Sequence, residues 1–190
     1  MSDGIRPHYL PTCTASRQQV ELSLRHLGVE RIDLLQLHRV DPKVPLAEQV
    51  GELSRMRDEG EIRHIGLSEV TLSQIEEARQ PAPIVSVQNL FNLVKRDAEP
   101  VLDYCKRHNL AFIPWFPLAT GQLAAPGGPL DELANKMGAS PSQLALAWLL
   151  KRSPVKVPIP GTARVVHLEE NVAGAGVKLS DADFERLTSI

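Results

Sequence analysis

Short strand-like runs alternate with amphipathic helical stretches along almost all of this chain, and that alternation limits the folds open to it. Val20, Leu24 and Leu27 recur at helical spacing in a stretch from about Ala15, which Gly28 can end in a left-handed conformation. The run Arg31 to Arg39 is short and rich in Leu and Ile. Flanked by Gly28 and by Asp41-Pro42, it reads as a strand. Leu46, Val50, Leu53 and Met56 form the apolar stripe of a second helix, and Ile62 to Ser68 forms a second strand. Thr71 can cap a helix to about Arg79, followed by a strand from Ile84 to Gln88, a helix from Asp97 to Arg107 and a strand from Leu110 to Phe116. Two helices follow, near Pro129 to Met137 and Pro141 to Arg152, each with proline near its start. A fifth strand-like run, Val155 to Pro160, precedes a helix from about Val165 to Val172 and a last helix capped by Ser180.

Five strands alternating with helices imply parallel βα units, because parallel neighbours need a crossover between them. An open doubly wound sheet and a (β/α)₈ barrel both satisfy this. No G-x-G-x-x-G follows a strand, which counts against a dinucleotide-binding doubly wound sheet. A full barrel needs eight strands and typically about 250 residues. The 190 residues here supply five. The reading is therefore α/β, a partial (β/α)₈ barrel of about five parallel βα units, in one domain over residues 1–190.

Composition narrows the partners. A formal net charge of -2 gives no electrostatic reason to expect nucleic acid or an anionic membrane. No apolar run approaches the roughly 18 residues of a membrane-spanning helix, and the first residues carry no apolar signal-peptide core. The two cysteines, Cys13 and Cys105, are far apart and the six histidines are scattered, so neither a disulfide framework nor a metal site is expected. A cytoplasmic location follows from that cysteine usage.

Function in βα barrels sits at the C-terminal strand ends. Alternation along each strand places Ile32, Leu34, Gln36 and His38 on one face, then His64, Gly66 and Ser68, then Ile84, Ser86 and Gln88. His38, Ser68 and Gln88 thus end three successive strands, and the fourth ends in Trp115-Phe116-Pro117. Singly, each is compatible with a structural role; three in register favour a site. The turn IPGTARVVHLEEN opens onto a helix start, where free N–H groups and the helix dipole favour an anion. Arg164 adds a charge suited to phosphate.

These runs resemble the aldo-keto reductases. RIDLLQLHRVDP is similar to the strand that ends in that family's catalytic His, followed in the family's order by HIGLSEV, VSVQNLFN, IPWFPLATGQL and IPGTARVVHLEEN. The resemblance implies an NADPH-dependent oxidoreductase that reduces aldehydes or ketones to alcohols, with NADPH (NADP) preferred to NADH and a small carbonyl compound as substrate. It implies that His38 orients and polarises the carbonyl, that Ser68 and Gln88 hold the nicotinamide carboxamide, and that Trp115 stacks on the ring. It places Leu118, Gly121 and Leu123 at the pyrophosphate, Gly161, Thr162 and Arg164 at the 2′-phosphate, and Glu170 and Asn171 at the adenine.

Two substitutions depart from the pattern: Glu69 stands where many members have Asn, and Gly161 where many have Lys. The family's catalytic Tyr and its Asp and Lys partners belong to βα units that precede the matched motifs. Tyr9 and Tyr104 match neither that motif nor that position. Two readings follow. One is an enzyme of this family, impaired or inactive as these 190 residues alone. The other is a non-catalytic truncated barrel acting as a cofactor-binding or interaction module.

Overall fold

The structure, a computed structural model, describes residues 12–119 and 130–190. The chain divides into two compact units, Met1–Val85 and Ser86–Ile190. In chain order the elements are α1 (Thr12–Leu27), β1 (Ile32–Leu37), α2 (Leu46–Asp58), β2 (Ile62–Ser68), α3 (Leu72–Ala78), β3 (Ile84–Leu90), α4 (Glu99–Arg107), β4 (Ala111–Trp115), α5 (Asp131–Met137), α6 (Pro141–Arg152), α7 (Val165–Ala173) and α8 (Asp181–Thr188). The expected helix near Pro129 starts at Asp131, and Pro129 itself lies outside the described residues.

In the first unit β1 and β2 pair in parallel, with Ile32 opposite Ile62 and Leu37 opposite Leu67. The stripe Leu46, Val50, Leu53 and Met56 is buried, and α2 packs on α1, on β2 and on α3. Of the α1 stripe only Val20 is buried; Leu27 stays 64% exposed at the last turn. Gly28 ends α1 at φ +65°, as expected, with the Val29 N–H reaching back to the Leu24 carbonyl at 3.2 Å. Arg17 fastens α1 to α2 through Glu52 at 3.1 Å and through Glu59. Thr71 caps α3 in a capping box with Gln74.

In the second unit β3 and β4 pair in parallel, Gln88 opposite Ile113 and Leu90 opposite Trp115. The run at 155–160 adds one parallel bridge rather than a full strand. Lys156 pairs with Phe112, held by Phe112 N–H to the Val155 carbonyl (2.8 Å) and Val157 N–H to the Phe112 carbonyl (2.9 Å). Prolines 154, 158 and 160 explain its brevity, since each lacks the N–H that a longer ladder requires. Helix α6 is central here: residues 144–149 are all buried, and α5, α7 and α8 pack on it. Its Trp148 stacks between Phe91 and Phe184, with both ring centres 5.9 Å away, and Phe91 meets Phe112 edge-on at 5.8 Å. Ser140 caps α6 in a second capping box, with Pro141 in the first turn.

Candidate functional site

Two places carry the polar residues singled out above. In the first unit, β2 ends in Ser68, which is buried, and His38 lies one residue beyond β1, exposed. Both stand one step past the Leu37–Leu67 register pair. Beside them Arg39 and Glu69 form an ion pair at 3.4 Å. Glu69 adopts φ +55°, in the left-handed region that asparagine tolerates far better than glutamate.

In the second unit Gln88 and Trp115 are half-buried in β3 and at the end of β4. Buried Asn92 orders the turn beyond them. Its amide donates to the Phe116 carbonyl at 3.0 Å, and its carbonyl oxygen accepts from the Val94 and Lys95 N–H groups at 3.0 and 2.9 Å. The chain can then turn sharply, with Phe116 at φ +62° and Ala119 at φ +48°. Trp115 and Phe116 meet edge to face, ring centres 5.8 Å apart.

Beyond that turn lies a groove of about 410 Å³. Leu118, Gly161, Thr162, Glu170 and Asn171, all expected at a cofactor site, line it together. They come from three separate places in the sequence: the turn after β4, the turn before α7, and α7 itself. Ser140, Pro141, Ser142 and His167 also line it, and sequence reasoning missed all four. His167 was legible in principle: it lies on α7 three residues before Glu170, hence on the same helical face. The serines carried no such signal, because only the docking of α7 on α6 brings them to the groove. That docking includes a 3.3 Å bond from the Gln143 side chain to the Glu170 carbonyl.

Arg164 is not among the lining residues. It occupies the N-cap position of α7, exposed, and its N–H donates to the Thr162 hydroxyl at 3.2 Å. Gly121 and Leu123 lie outside the described residues.

The groove suits the phosphate-bearing end of a dinucleotide. Among the described residues no side chain caps α7, and the helix dipole at its start favours an anion. Ser140, Ser142, Thr162, His167, Glu170 and Asn171 supply the groove's polar lining. A Cβ built on Gly161 would meet nothing within 4 Å, so space is open beside the turn. The volume is that of ordinary small-molecule sites, which run from about 300 to 1,000 Å³. Among the described residues no cluster of His, Cys, Asp and Glu could hold a metal ion, and no helix is long and apolar enough to cross a membrane.

Parallel βα units with a polar groove at a helix start define the class: an α/β fold of the (β/α)₈ barrel kind, present here in part. The Aldo/keto reductase family profile matches residues 12–190, and the chain belongs to that family. An uncharacterized oxidoreductase of Schizosaccharomyces pombe is 58% identical over 90% of this chain and 56% of its own length. Pyridoxine 4-dehydrogenase of Escherichia coli is 37% identical over 96% of this chain and 66% of its own. The crystal structure of an aldo/keto reductase from Klebsiella pneumoniae in complex with NADP and acetate superposes with a TM-score of 0.83 at 30% identity, covering 92% of this chain and 64% of that one. The chain thus spans less than two thirds of each of these relatives.

Proposed function

We propose that these residues form the cofactor-binding part of an NADPH-dependent aldo-keto reductase that reduces aldehydes or ketones to alcohols. The observation that carries this is the groove, where Leu118, Gly161, Thr162, Glu170 and Asn171 meet although the sequence separates them by up to 53 residues. Such a cofactor supplies a hydride to a carbonyl carbon. In this reading Thr162, His167 and the uncapped start of α7 bind the phosphate, with Arg164 adding charge at the rim, and Glu170 and Asn171 take the adenine. His38, Ser68, Gln88 and Trp115 keep the roles given by the resemblance: carbonyl polarisation for the first, nicotinamide contact for the others. A site for the 2′-phosphate at Thr162 and Arg164 would favour NADPH over NADH. Residues 1–190 are read as one domain, the C-terminal portion of the barrel, working on a small carbonyl compound in the cytoplasm. No residue here matches the motif of the family's Tyr acid, so turnover by these residues alone is impaired.

The test is a fluorescence titration with NADPH and NADH. Thr162→Ala and Asn171→Ala should each weaken NADPH binding roughly tenfold, the loss expected when a hydrogen bond worth about 1–1.5 kcal/mol is removed. NADH should bind the parent chain more weakly than NADPH. Unchanged affinity in both folded variants would place the cofactor elsewhere.

A further inference from the structure

Lys156 makes the single bridge to Phe112 that seats the 155–157 segment on β4, and its side chain turns into the core rather than to water. The residue is 6% exposed, and among the described residues its ammonium nitrogen has no hydrogen-bond partner. It faces aromatic rings instead: the nitrogen lies 4.3 Å from the centre of Phe91 and 5.1 Å from that of Trp148. Arg152, Glu99 and Asp103 act on its charge. Arg152 on α6 is held by Glu99 and Asp103 of α4 at 2.8 and 2.9 Å, and Arg96, just before α4, lies 5.5 Å over the same Trp148 ring.

We propose that Lys156 is a proton-linked latch: the neutral amine seats the 155–157 segment against β4 and the Phe91–Trp148 stack, and protonation loosens that seat. Ring faces attract a cation but accept none of the three N–H bonds of an ammonium in the ordinary way. Both nearby carboxylates are already engaged by Arg152, whose own charge repels a second cation. Burial opposes the Arg152 charge, yet its bonds to Asp103 and Glu99 outweigh that and raise its pKa, so Arg152 stays charged. Burial pushes the Lys156 amine down to about 7, Arg152 pushes the same way, and Glu99 and Asp103 pull back.

The sign of the effect follows from linkage. The unfolded lysine holds its proton up to its ordinary value of 10.5, and the folded one releases it near 7. Between those values the unfolded chain binds more protons, so stability rises with pH across that window and the penalty is complete below it. The latch lies at the start of the run that leads to Gly161 and Thr162, so its release would also reach the groove. That last consequence rests on the proposed function, whereas the stability and exchange readouts below do not.

The experiment compares the chain with Lys156→Met, which keeps the length and removes the charge. At pH 6 the variant should melt about 5 °C or more above the parent, on the scale by which stability shifts Tm in domains of this size. The gap should close as pH approaches 10, where the parent has shed the proton. Amide exchange at Val157, whose N–H bonds to Phe112, should be at least about tenfold better protected in the variant at pH 6 and equal at pH 10. A ¹³C titration of the lysine side chains in the parent should show one midpoint near 7. A variant less stable at pH 6, a gap that does not vary with pH, or a Lys156 midpoint above 9 would each overturn the proposal; the last decides the matter even if the variant does not fold.

Discussion

Glu69 pairs with Arg39 at 3.4 Å while its backbone stands at φ +55°, so one residue carries an attraction and a strain together. The ion pair is half-exposed, and such pairs contribute about 0–1 kcal/mol. A left-handed conformation costs an ordinary side chain about 1–2 kcal/mol, less for asparagine. Strain therefore outweighs the pair. Glu69→Asn should raise stability by about 0.5–1 kcal/mol, read as a higher urea midpoint with an unchanged slope. A lower midpoint would mean that the ion pair is the larger effect. The same position is one where the sequence departs from the family's usual residue. The departure was legible, but its backbone cost was not, because φ is a property of the turn rather than of the letter.

Helix starts, α2's apolar stripe and parallel strands were readable because each has a local cause: Thr71 before α3, Pro141 inside the first turn of α6, Gly28 after the last turn of α1. The groove was readable only in part. Gly161, Thr162, Glu170 and Asn171 fall in one continuous motif, whereas Ser140 and Ser142 reach it through the docking of α7 on α6, which no local pattern encodes. Ser140 therefore has two duties that can be separated. Its hydroxyl accepts the Gln143 N–H at 3.2 Å, and the residue also lines the groove. Ser140→Ala should cost about 1 kcal/mol of stability through the lost cap. Ser140→Asp should keep the cap and the stability but set a carboxylate beside the phosphate site, weakening NADPH binding by more than Ser140→Ala does. Thermal melts and NADPH titrations on both variants check this. Equal binding in the two would mean that the groove's serine edge does not face the phosphate.

At the scale of the whole molecule, cofactor binding and chemistry should come apart. The groove lies wholly within the unit Ser86–Ile190 and is built from side chains that α6, α7 and the turn after β4 hold in place. On the proposed reading the phosphate end of NADPH binds within that unit alone, whereas the nicotinamide also meets Ser68 of the other unit. Reduction of a carbonyl needs more: after hydride transfer the oxygen carries charge that a positioned acid must neutralise. In the proposed reading His38 polarises the carbonyl, while Tyr104 is buried in mid-helix with its ring 4.1 Å from His108, away from any strand end. Loss of a positioned acid typically lowers rate by about 10²–10⁴-fold, and loss of groups that orient the substrate lowers it further. Assayed as these 190 residues, the chain should bind NADPH yet oxidise it with a reactive aldehyde at no more than about 10⁻² of the rate of a family member that carries the Tyr acid. Full turnover abolished by His38→Ala would refute that division and would mean that another residue of this chain donates the proton. Failure to bind NADPH, with the protein folded by circular dichroism, would instead remove the groove from the reading while leaving the family assignment untouched.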